Sequence, residues 1–203
     1  QETKGFFPTV GAALSRPSTI GHAVLESAPS MFGGGALARG LLKAAPSVSP
    51  LVAGAIGEGA VSAGQTAEQI RQATPAGNLT PVQSAISLGS GALTTAFGYG
   101  GGKLLNRLGI TDIDQWIAGG RPTLITDQAK RGVVARVVGG IAGEGVFEEL
   151  PQSAQEQVAQ NLALDKPWNE GVPEAAAMGM LAGAVMGGGA AIATRTDAPR
   201  TDR

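Results

Sequence analysis

From Ala175 to Thr194 the chain runs twenty residues without a charge, with glycine at positions 179, 183, 187, 188 and 189. Each glycine costs a helix interior about 1 kcal/mol relative to alanine. A helix formed there must therefore gain from its missing side chains, through close approach of another backbone, through contact with a bilayer, or both. Gly179, Gly183 and Gly187 follow one another at four-residue spacing. On a helix they form a flat stripe that admits a neighbouring backbone. Gly139 with Gly143, and Ala53 with Gly57, repeat the spacing. Twenty helical residues span about 30 Å, the thickness of a hydrocarbon core. Yet only Met178, Met180, Leu181, Val185, Met186 and Ile192 are large. Three readings stay open: a buried helix in a helical assembly, a segment that enters a bilayer conditionally, or a permanent membrane anchor. Ala85 to Gly102 is an equally uncharged counterpart, richer in Ser and Thr.

The rest of the chain shares this economy of side chains. Gly (32) and Ala (34) together form a third of the 203 residues, and aromatics only 4%. Large side chains supply most of the burial energy of a core, so a conventional globule is weakly supported here. Thin helices packed backbone to backbone, or stacked with copies of themselves, suit the composition better. A net charge of −1 supplies no global field toward nucleic acid. With no cysteine there is no disulfide and no thiolate metal site. The sequence begins at Gln1 without a charged and then apolar leader, and reads as a segment of a longer polypeptide.

Local signals are helical. Ser49-Pro50 and Thr80-Pro81 each place an N-cap before a proline at the first helical position. Alternating β-branched runs are lacking, and Pro122 to Thr126 reads as a linker. The expected fold is all-α, with helices at Thr19–Ala28, Gly34–Ala45, Pro50–Ala73, Pro81–Leu108, Asp112–Ala118, Asp127–Glu149, Gln152–Leu164 and Pro173–Thr194. Pro29 should end the first of these, and Pro151 should break or kink the sixth from the seventh.

An internal duplication organises the layout. Gly57-Glu58-Gly59 aligns with Gly143-Glu144-Gly145 at an offset of 86, and Glu68-Gln69-Ile70 with Glu156-Gln157-Val158 at 88. The second offset continues from Gly91, Leu93, Ala96, Gly100 and Gly101 to Gly179, Leu181, Ala184, Gly188 and Gly189. Each unit is a small-residue helix, a Glu/Gln-rich stretch, a proline-bearing loop and a Gly/Ala-rich helix. The expected organisation is an N-terminal helical segment (1–48), a first helical hairpin (49–109), a short helix and linker (110–126), a second hairpin (127–194) and a polar tail (195–203), in a multi-chain assembly.

Chemical motifs fail on inspection. The "GYGGGKLL" run has Phe97 where a phosphate loop needs glycine, and Leu104 where it needs Ser or Thr. His22 has no Cys or His partner. Glu26, in "LESAPSMFGGG", suggests the general acid of a peptidoglycan-cleaving enzyme, but cleft aromatics are missing. Glu144 and Glu148 share a helical face with Glu149 beside them, and a solvated or ion-paired face is the expected role. No catalytic, metal or cofactor residue is assigned. Residues expected at helix packing or membrane contacts are Gly57, Gly91, Gly139, Gly143, Gly179, Gly183 and Gly187. Those expected to pair between chains are Arg136, Glu148, Gln152, Gln155 and Gln157.

The run from Gly143 to Gly189, with Glu148-Glu149, the Gln152 to Glu156 stretch, Asn161, the Gly171 loop and the Gly/Ala helix, resembles segments of the large internal virion proteins of tailed bacteriophages, the ejection proteins. Similar segments occur in large polyvalent proteins of mobile elements. "VLESAPSMFGGG" and "GGKLLNRLGITDID" resemble the same group. The resemblance implies a protein packaged near the portal that leaves through the tail channel. It then assembles, with copies of itself and other ejection proteins, a conduit across the host periplasm and inner membrane. Genomic DNA would pass through its lumen without base readout. A stand-alone pore-forming helical module is the alternative, and a cell-wall hydrolase the third reading.

Overall fold

The computed structural model describes residues 4–107, 138–139 and 141–193, and among these every regular element is helical. In chain order they are α1 (Phe6–Ser15), α2 (Pro17–Ala44), α3 (Pro50–Ala73), α4 (Pro81–Arg107), α5 (Ile141–Glu149), α6 (Leu150–Ala163) and α7 (Val172–Ala193). α5 is wound as a π-helix. The expected helix Asp112–Ala118, residues 127–137 and Arg136 lie outside the described residues.

The capping signals act as their chemistry requires. The Ser49 hydroxyl accepts from the Val52 amide at 3.3 Å, with Pro50 in the first turn. At α4 the cap is reciprocal: Thr80 Oγ1 accepts from the Gln83 amide at 3.2 Å, and Gln83 Oε1 accepts from the Thr80 amide at 2.9 Å. Asn161 closes the loop between α6 and α7, donating to the carbonyls of Trp168 (3.1 Å) and Glu170 (2.7 Å). Gly171 turns that loop at φ +70°.

Two expectations are corrected. Phe6–Ser15 forms a helix that the sequence did not announce; Pro8 falls in its first turn, where a missing amide costs nothing. α2 runs unbroken from Pro17 to Ala44, so Pro29 does not end it. Packing of its C-terminal half on α3 outweighs the single hydrogen bond that proline removes. At Pro151 the expected boundary is present, as a change of winding between α5 and α6 with no gap in the chain's helical course. The junction residue Glu149 keeps helical angles (φ −65°, ψ −36°), and Pro151 sits in the first turn of α6. The proline's missing donor falls where α5's wider bonding register gives way to the α-helical one.

α3 packs against α4 and α2, α7 against α5, α6 and α1, and α4 against α5 and α6. The crossings are made by glycines. A Cβ on Gly57 would strike the Gly34 backbone of α2, and one on Gly59 the carbonyl of Gly91 on α4. One on Gly145 would stand 2.6 Å from the Met180 carbonyl of α7. Among the described residues, Ile70, Leu105, Leu181 and Met186 are the large apolar side chains in the core; the other buried hydrophobics are alanines.

Candidate functional site

Backbones this close leave room only for small side chains, and several of these are polar. Ser62 on α3 and Thr94 on α4 are buried with their hydroxyls 3.0 Å apart. Both donate to Glu156 Oε1 on α6, at 2.5 Å and 3.4 Å. Gln155 Nε2 donates to Thr94 Oγ1 at 3.0 Å and to the Ser90 carbonyl at 3.4 Å, and Gln155 Oε1 accepts from Ser90 Oγ at 3.3 Å. Three helices are thereby joined through a continuous polar seam. A shared network of this kind holds register because each buried group needs a particular partner.

Beside the seam, α4 makes space for carboxylates. Glu58 Oε2 stands where a Cβ on Gly98 would be, and Glu148 Oε1 is 3.3 Å from the same point. Glu148 Oε2 is 2.8 Å from the corresponding point on Gly101. Two glycines one turn apart thus form a seat for Glu58 of α3 and Glu148 of α5. Glu148 is 2% exposed.

On the other side of α6 a cleft of about 900 Å³ opens among α2, α3, α6 and α7. Gln65, Gln69, Gln157 and Gln160 line it together with Glu68, Glu149, Glu156, Ser153 and Met178. Gln160 Nε2 donates to Gln69 Oε1 across the cleft. Glu149, half-buried, stands at the wall. Burial, and then the Glu156 charge, push its carboxyl from 4.5 to about 7. Burial also raises Glu156, against the opposing hydrogen bonds from Ser62 and Thr94. The cleft therefore holds carboxyl groups that resist ionisation, among neutral amides. Among the described residues no group of His, Asp and Glu is arranged to hold a metal ion. Glu68 behaves differently: paired at the surface with Arg71 (2.6 Å), its carboxyl is lowered to about 2.

Of the glycines singled out, Gly57, Gly91, Gly143 and Gly179 lie at helix contacts within the chain. Gly91 faces Gly59 and Ala63, Gly143 faces the Leu105 side chain, and Gly179 faces Ser153 and the Glu149 carbonyl. Gly183 and Gly187 are buried, and Gly139 is half-buried. Of the polar residues expected between chains, Glu148 of α5 is buried against Gly98 and Gly101 of α4, Gln152 of α6 is buried, and Gln155 of α6 is bonded into the seam. Gln157 is half-buried and donates to Asn161 Oδ1 at 3.0 Å. The side chains of Glu26 and Glu144 lie outside the described residues. Sequence reasoning missed Gly59, Gly98, Gly101 and Gly145, and missed the seam. The Ser and Thr of α4 were visible but gave no sign that they face inward.

Among the described residues no helix is long and apolar enough to cross a membrane. Comparison of the chain with known protein families, with curated proteins and with solved structures finds no match.

Proposed function

We propose that this chain is a structural helical segment of a bacteriophage ejection protein, one that oligomerises and helps form or anchor a genome-translocation channel across the host envelope. The observation that supports this most is the inverted distribution of side chains. Among the described residues the core is built mostly of Gly, Ala, Ser and Thr, with four large apolar side chains and the buried Glu148, Gln152 and Asn161, while Phe7, Leu25, Phe32, Val82 and Leu88 are each more than two-thirds exposed. A chain that invests so little in its own core is readily unfolded for passage through a narrow conduit. Apolar residues left outside then find their burial in neighbours. Partners in this reading are copies of the chain, other ejection proteins, the portal or tail channel and the host inner membrane, with DNA held in a lumen.

The same reading includes two related hairpins. Gly91 of α4 sits over Gly59 and Ala63, and Gly179 of α7 sits over Glu149 and Ser153, each time over two residues four apart. Gly145 meets Met180 and Ala184, one residue along from the counterparts of Gly91 and Thr95, which Gly59 meets. The offset between units grows from 86 to 88 between the Gly-Glu-Gly and Glu-Gln matches. The nine π-helical residues of α5 begin just ahead of that interval and run into it. A π-helix takes close to one residue more per turn, so two turns absorb about two residues.

Liposome flotation and sedimentation of the 1–203 chain test the proposal. Concentration-dependent assembly, with flotation on anionic vesicles once assembled, is the expected result. A chain that stays monomeric and never floats would refute it.

A further inference from the structure

α4 is built inside out. Its buried face carries Ser87, Ser90 and Thr94, with Leu105 buried only near its C-terminal end, while Val82, Leu88, Leu93 and Tyr99 are 68%, 69%, 51% and 40% exposed. No charged residue occurs between Pro81 and Gly102. A helix at a protein–water surface has the opposite arrangement. Water is therefore the wrong medium for this face.

Its relief decides between the candidate neighbours. Ala85, Gly89, Ala92, Ala96 and Gly100 are exposed on the same side, and a Cβ added at Gly89 or Gly100 would meet nothing within 4 Å. A bilayer rewards apolar area, of which glycine and alanine have little. A second helix gains from such gaps, because its own ridges enter them and the backbones approach. The size fits a helix too. Twenty-seven residues make a strip about 40 Å long and about 10–12 Å wide, or about 400–500 Å² per copy. Two such strips bury about 800–1,000 Å², below the roughly 1,200 Å² of stable specific interfaces and in the range of weak, transient contacts. The charges permit self-pairing. Lys103 and Arg107 sit at one end of α4. Lys103 is eleven residues, about 16 Å, from Ala92, beyond the screening length of about 8 Å at physiological salt. Two copies crossing near Ala92 keep their cations apart.

We infer that the outward face of α4 is a homotypic docking surface that packs on α4 of a second copy, crossing near Ala92. The choice of a second copy as occupant rests on the assembly reading above. At this area the contact is reversible and depends on concentration.

Sedimentation equilibrium of the 1–203 chain, from micromolar to several hundred micromolar, is the test. Parent protein should show rising average mass, and Ala92→Glu should weaken association at least tenfold with unchanged circular dichroism. The chain contains no cysteine, so single substitutions report proximity cleanly. Ala92→Cys should give a disulfide-linked dimer on mild oxidation, because that bond needs Cα atoms within about 7 Å. Ala76→Cys, exposed in the loop before α4, should not. If the parent associates, Ala92→Glu associates equally well and Ala92→Cys does not cross-link, the α4 surface is wrong and the assembly reading stands. If the parent remains monomeric at every concentration, both fail. If monomeric parent floats on phosphatidylcholine–phosphatidylglycerol vesicles and Ala92→Glu does not, the face belongs to a bilayer and the inference is overturned.

Discussion

Replacing Glu149 by Gln should stabilise the protein above neutral pH and leave it nearly unchanged near pH 4.5. Glu149 closes α5 and faces the cleft, where burial and then Glu156 hold its carboxyl at about 7 against an ordinary 4.5. Between those values the folded chain keeps a proton that the unfolded chain has released. Stability then falls as pH rises, because the folded state binds more protons than the unfolded one. The full difference corresponds to about 3 kcal/mol. Water in the cleft screens part of it, so about 2 kcal/mol is the expected gain for Glu149→Gln at pH 8. Glutamine has nearly the same volume and cannot ionise. Urea unfolding of both proteins at intervals from pH 4.5 to 8.5 measures this directly, with stability differences taken at constant slope. Glu156 is raised in the same direction, so the variant's profile should flatten without becoming level. A difference between the two proteins that does not change with pH would refute the argument, since it would mean that Glu149 ionises normally in the cleft.

Other substitutions separate the roles of individual residues. Gly59→Ala should destabilise by about 1–3 kcal/mol because its methyl would meet the Gly91 carbonyl and Thr95. Gly64→Ala, on the same helix with nothing within 4 Å, should stabilise by up to about 1 kcal/mol; thermal melts of the pair should move in opposite directions. Thr80→Ala removes half of the reciprocal cap on α4 and should cost about 1 kcal/mol at any pH between 5 and 8, read by chemical denaturation. Ser62→Ala takes the nearest donor from Glu156 and should cost about 1–3 kcal/mol, more at pH 8 than at pH 5 because the ionised carboxylate loses most. Equal losses at the two pH values would show that Glu156 is not the group being supported.

Much of this architecture was legible from local chemistry. Ser49 and Thr80, each followed by proline, mark the starts of α3 and α4, and the uncharged Gly/Ala run from Ala175 falls within α7. Such signals survive because a cap or a first-turn proline acts on its own backbone whatever surrounds it. The spacing of Gly57, Gly91, Gly143 and Gly179 likewise pointed to helix crossings, since only the missing side chain matters there. The identity of the partners was not legible. Nothing local says that Gly57 meets Gly34, or that Gly98 and Gly101 make room for Glu58 and Glu148.

Sequence alone determined that the chain is helical, where α3, α4 and α7 begin, and that its helices could approach closely. Tertiary structure decided the rest: the unbroken course of α2 through Pro29, the π-helical winding of α5, and which face of α4 turns inward. The physical reason is common to all three. Helices made of Gly, Ala, Ser and Thr carry little contrast between one face and another, so their orientation follows from which backbones can touch and which buried hydroxyls and carboxyls find partners. Those are properties of pairs of helices, and no single stretch of sequence contains them.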